Sequence, residues 1–130
     1  MNREVHYDFT RDWAIAEGFT PEDATAIAAA NWGCDVVHTG ILDKRYHWPL
    51  LGAPVLSFRR YNRAVEAGDL DALGEALHAL QDTIGHGLWG HFYHWHGIDR
   101  WAHRSPKVRA RLEFYSRMML AAYRRRRHLC

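Results

Sequence analysis

Apolar residues recur at helical spacing along most of this chain, and no stretch alternates long enough to read as a strand. Between Glu4 and Glu17, Phe9, Trp13 and Ala16 share a stripe. His6 lies one turn earlier on much the same side, and Gly18 ends the helix. Thr20-Pro21-Glu22-Asp23 is a helix start, with Thr as N-cap, Pro in the first position and acids in the first turn. The alanine-rich helix that follows reaches about His38 and is closed by Thr39-Gly40. Ile41 to Pro54 is irregular, because its prolines interrupt any continuous helix. A third helix is expected from about Val55 to Ala67, with Gly68 as its stop. Asp69 then caps a fourth, whose stripe is Leu70, Leu73, Leu77, Leu80 and Ile84. His78 and Asp82 lie beside that stripe, so they should face the interior or its rim. Gly85, Gly87 and Gly90 loosen the chain, and Ser105-Pro106 opens a last helix with Val108, Leu112, Tyr115, Met119 and Ala122 on its buried side. The pattern predicts an all-α protein, a compact bundle of about five helices forming one domain over residues 1–130.

Composition supports a folded domain and narrows its partners. A chain of 130 residues with 48% hydrophobic content can bury a core without disulfide staples. A net charge of +2 points to neither an acidic partner nor nucleic acid. The basic excess is local, at Arg124 to Arg127, and reads as a solvated helix end placed well against the helix dipole. Nucleic-acid contact through that run is possible but not favoured. Cys34 and Cys130 form no pattern, which favours a reducing compartment. The start of the chain does not read as a signal peptide, and no apolar run approaches the length of a membrane span. A cytoplasmic protein is the expectation.

Ten histidines are many for this length, and most fall between His78 and His103. His78-Ala-Leu-Gln-Asp82-Thr-Ile-Gly-His86 places three potential ligands at i, i+4 and i+8, on nearly the same face of a helix. Burying such a face is costly unless something compensates it, and a divalent metal held by imidazole and carboxylate would do so. His6, Asp35 and His47 are candidates to complete the site from elsewhere in the chain. Taken singly, each has a plainer role: a hydrogen-bonded histidine, an acid accepting from a neighbouring helix start, a loop residue packed on rings. Of the cluster His91, His94, His96 and His103, only His91 is favoured as a ligand, since Gly90 lets the backbone turn toward His86. Two ions in such an interior, with Asp82 bridging, could clamp a phosphoryl group and activate water between them.

These pieces, in this order, resemble the family of zinc-dependent phospholipases C and single-strand-specific zinc nucleases. The matching parts are His6-Tyr-Asp-Phe-Thr10, Gly18-Phe-Thr-Pro-Glu-Asp-Ala24, the alanine-rich helix ending at Asp35, the aromatic-flanked His47, and His78 to His86. The resemblance implies an all-helical fold that holds one to three zinc ions and hydrolyses a small-molecule or lipid phosphoester with metal-activated water. It implies that His78 and Asp82 are central ligands, that Asp82 bridges, and that Asp35 and His47 bind the first ion. His6 would hold the ion sharing Asp82, and His86 would open a third site finished by His91 with Asp99 or His103. Asp35 and Asp82 would be the catalytic acids. A non-catalytic reading also stands, in which a metal-stabilised helical module binds a partner.

Overall fold

The structure is a computed structural model that describes residues 3–37, 52–86 and 104–129. Among them there is helix and turn but no strand. Helix α1 opens as a π-helical segment, Glu4–Phe9, and continues as the α-helix Thr10–Ala16. Then come α2, Pro21–Val37, α3, Gly52–Ala67, α4, Leu70–His86, and α5, Pro106–Leu129. His47, His91 and the rest of the histidine cluster up to His103 lie outside the described residues, as does Cys130.

The helix starts read from sequence are made by the expected side chains. Thr20 Oγ1 accepts the Asp23 N–H at 3.1 Å, and Asp69 Oδ1 accepts those of Asp71 and Ala72 at 3.0 and 3.1 Å. Ser105 Oγ accepts the Val108 N–H at 3.3 Å. Gly18 and Gly68, at φ +90° and +68°, turn the chain after α1 and α3 in a conformation that only glycine adopts cheaply.

Three details differ from the sequence reading. Helix α3 begins at Gly52 rather than near Val55, because Pro54 falls in its first turn, where a missing N–H costs nothing. In α1 the buried face is Val5, His6, Thr10, Trp13 and Ala14, with Phe9 half-buried and Ala16 exposed. The π-helical opening has a wider turn than 3.6 residues, so a stripe laid out at α spacing drifts off the true face. In α5 the buried side chains are Leu112, Ser116, Leu120 and Tyr123, while Tyr115 is exposed. A polar residue, Ser116, holds a core position there because it has a buried partner, described below.

Helix α4 is the centre of the bundle and packs against α2, α3 and α5. Leu73, Leu77 and Ile27 are fully buried, and with Leu112 and Leu120 of α5 they form one core. Gly74 lets α2 and α4 meet backbone to backbone. A Cβ there would sit 2.5 Å from the Ile27 carbonyl oxygen and 2.9 Å from the Asn31 nitrogen.

The arginine run does more than end α5. Arg124 donates to the Glu17 carbonyl at 2.6 Å and Arg127 to the Val65 carbonyl at 3.2 Å, so they satisfy the C-terminal ends of α1 and α3. Arg126 donates to Asn62 Oδ1 at 3.2 Å and lies over the Tyr61 ring. Two turns earlier in α5, Arg117 pairs with Glu17 at 2.6 Å and with Glu113 at 3.3 Å. Much of this basic cluster therefore braces the bundle.

Candidate metal centre

His6, His78 and Asp82 each present a ligand atom to one buried point, with these atoms all within 4.8 Å of one another. Such a group could hold a metal ion. His6 comes from the π-helical start of α1, and His78 and Asp82 from successive turns of α4. Asp82 spans the two rings. Its Oδ1 is 3.3 Å from His6 Nε2, and its Oδ2 is 3.2 Å from His78 Nε2. Asp35, near the end of α2, spans the same pair, with Oδ2 3.5 Å from His6 Nε2 and Oδ1 3.6 Å from His78 Nε2. Both imidazoles are fully buried, whereas the Asp35 side chain is 22% exposed and forms the side open to solvent.

These separations fit a cation. Ligands bound tetrahedrally at about 2.0–2.1 Å are about 3.3 Å from each other. His6 Nε2 and Asp35 Oδ2 have no hydrogen-bond partner among the described residues although both are buried. The two rings stack with centroids 4.2 Å apart and 29° between planes, so their Nε2 atoms are directed side by side.

A polar network behind the rings fixes which nitrogen carries the proton. It starts at the Val5 carbonyl, which can only accept. The Thr10 N–H reaches that carbonyl across the π turn, and the Thr10 hydroxyl donates to it at 2.9 Å. The Thr10 oxygen is then left with lone pairs, so its other neighbours must donate. Asn31 Nδ2 does so at 3.2 Å and Gln81 Nε2 at 2.9 Å. Gln81 Nε2 also donates to Ser116 Oγ at 3.1 Å, which is why α5 buries a serine. With both amide nitrogens committed, their oxygens face the rings. Gln81 Oε1 accepts from His6 Nδ1 at 2.9 Å and from Asn31 Nδ2 at 3.0 Å, and Asn31 Oδ1 accepts from His78 Nδ1 at 3.3 Å. Each imidazole thereby carries a proton on Nδ1 and turns its Nε2 toward the acids, the orientation in which a histidine ligates a metal through Nε2.

Burial pushes His6 below its usual pKa, and the neighbouring His78 pushes it further the same way. Cys34, next to Asp35, is buried, and its thiol is pushed up to about 12 by burial and then by the Glu75 carboxylate. It stays protonated and packs as a small apolar group.

Of the residues singled out from sequence, four converge here: His6, Asp35, His78 and Asp82. His86 ends α4, but its side chain is not among those described. The sequence reading missed Asn31, Gln81, Thr10 and Ser116. Spacing offered a signal for two of them. Asn31 lies one turn before Asp35 in an alanine-rich helix, and Gln81 lies one turn after His78. No protein-family model matches the chain, and comparison with curated proteins and with solved structures gave no match.

Proposed function

We propose that this protein is a metal-dependent phosphoesterase, with zinc as its metal. The observation that carries the reading is the convergence of two imidazole Nε2 atoms and two carboxylates from three helices on one buried point. Imidazole and carboxylate are a zinc donor set. Bound there, a divalent ion supplies Lewis acidity and makes a water molecule more acidic. His6 and His78 hold it as neutral ligands, and Asp35 and Asp82 balance its charge. Because each acid spans both rings, the same four residues suit one ion or two ions side by side. Two ions would leave the centre positive, and an anionic phosphoester would offset part of that charge. Asp35, the most exposed of the four, faces the side from which substrate would enter, and can accept a proton there. The phosphoester class is supported by the ordered likeness to the zinc phospholipase and nuclease family set out above.

Elemental analysis of untagged protein purified without chelator should find stoichiometric zinc, and Asp82→Asn should lose it. Bis(p-nitrophenyl) phosphate should be hydrolysed by the wild type and not by Asp35→Asn or Asp82→Asn. Protein with no bound metal overturns the reading. Protein with metal but no turnover on phosphomonoesters or phosphodiesters leaves the non-catalytic, metal-stabilised module in its place.

A further inference from the structure

Helix α5 carries Lys107, Arg109, Arg111, Arg117 and Arg124 to Arg127 against one acid, Glu113, while the whole chain has a net charge of only +2. Such asymmetry within a chain points to a polyanionic partner or an anionic surface. Arg117, Arg124, Arg126 and Arg127 are engaged with α1 and α3 as described. The other basic residues have a different setting. Lys107, Arg111, Phe114, Met118, Ala121 and Arg125 follow one another at helical spacing on a single outward line. That line runs about 27 Å along the helix at 1.5 Å per residue. Phe114 is 61% exposed and Met118 48%, and Lys107, Arg111 and Arg125 are exposed as well. Tyr115 and Met118 continue the apolar surface into an open groove with Leu80 and Met119.

From this ridge we infer that α5 docks the protein on an anionic membrane surface. Two protruding apolar side chains sit at the middle of the line, with cations at both ends and no acid on it. On a plane of lipid, Phe114 and Met118 enter the acyl boundary while Lys107, Arg111 and Arg125 stay among the headgroups. A second copy is a poor fit to the same ridge. Antiparallel pairing about Phe114 and Met118 brings Lys107 against the partner's Arg125, like charge on like, with Arg111 only one turn away. The attachment is peripheral, since no helix among the described residues is long and apolar enough to cross a membrane. It does not depend on the metal-centre reading.

The test is co-sedimentation of the full chain with vesicles of phosphatidylcholine alone and of phosphatidylcholine mixed with phosphatidylserine. Binding is expected only to the mixed vesicles. Combining Lys107→Glu, Arg111→Glu and Arg125→Glu should weaken it by about 100-fold, at several-fold for each cation. Phe114→Ser with Met118→Ser should weaken it at least about tenfold by removing the buried apolar area. Circular dichroism melts of these surface variants should match the wild type. Failure to bind the mixed vesicles overturns the inference, as does equal binding to the neutral ones. Binding indifferent to the Phe114 and Met118 changes overturns it too, and would mark the ridge as a site for soluble polyanions. Dimerisation lost with those same changes, in place of lipid binding, would assign it to a second copy.

Discussion

A single main-chain carbonyl, that of Val5, sets the direction of the hydrogen bonds described behind the His6 and His78 rings, and Gln81 is where those bonds meet. Replacing Gln81 with Leu removes the acceptor for the His6 Nδ1–H and the donors to Thr10 and Ser116. Buried groups left unsatisfied cost about 1–3 kcal/mol each, and partners of ligating histidines are worth about 10–100-fold in metal affinity. Calorimetric titration with zinc should therefore show affinity weakened by about that factor in Gln81→Leu. Gln81→Glu keeps an oxygen facing His6 but sets an acceptor against Thr10, and should recover only part of it. Equal affinity in all three proteins would show that the network does not orient the rings. The burial of His6 has its own consequence in metal-free protein. Its folded pKa is lowered, chiefly by desolvation and then by His78. As pH falls below the unfolded value of about 6.5, the unfolded chain takes up a proton before the folded one, and stability drops until the folded pKa is also passed. With chelator present, the melting temperature should decline from pH 7 toward pH 5, and His6→Gln should reduce that slope.

At the level of elements, the contact between α2 and α4 determines whether Asn31 can reach His78, and Gly74 controls it. Alanine is better than glycine in a helix by about 1 kcal/mol, so Gly74→Ala would be stabilising in an open position. Here the added Cβ meets the Ile27 carbonyl at 2.5 Å, Ala30 Cβ at 2.7 Å and the Asn31 nitrogen at 2.9 Å. Two of these are backbone atoms, which yield only if the helices part. Overpacking of this kind costs about 1–3 kcal/mol and should exceed the propensity gain. Urea denaturation should find the variant less stable, and zinc affinity should fall with it because Asn31 moves away from His78. The helix starts were legible in the sequence, since Thr20, Asp69 and Ser105 act through neighbours two or three residues away. So was the convergence of His6, Asp35, His78 and Asp82 on one interior point. The rest depended on distant partners. Nothing local marks Ser116 as buried, because its reason for facing inward is Gln81 in another helix. Nor does local sequence reveal the π turn that shifts the face of α1, or the close approach at Gly74.

Across the whole molecule the centre ties α1, α2 and α4 together, so metal should act on stability as well as chemistry. Without a cation, the carboxyl groups of Asp35 and Asp82 and the Nε2 atoms of His6 and His78 share one largely desolvated point, at a cost in hydration that a bound ion would offset. An ion that binds the folded form alone stabilises it by about 2.7 kcal/mol when present at about a hundredfold over its dissociation constant. For a chain of this size that corresponds to a rise in melting temperature of about 10 °C. The arginine braces on the ends of α1 and α3 lie elsewhere in the bundle and contribute independently. Arg124→Ala should thus lower the melting temperature by a similar amount in zinc and in chelator, since it frees the Glu17 carbonyl and touches no ligand. In Asp82→Asn, chelator should no longer matter, because the more buried of the two carboxylates that span both rings has lost its charge. A chelator effect of unchanged size in Asp82→Asn would place the stabilising ion somewhere other than between His6 and His78.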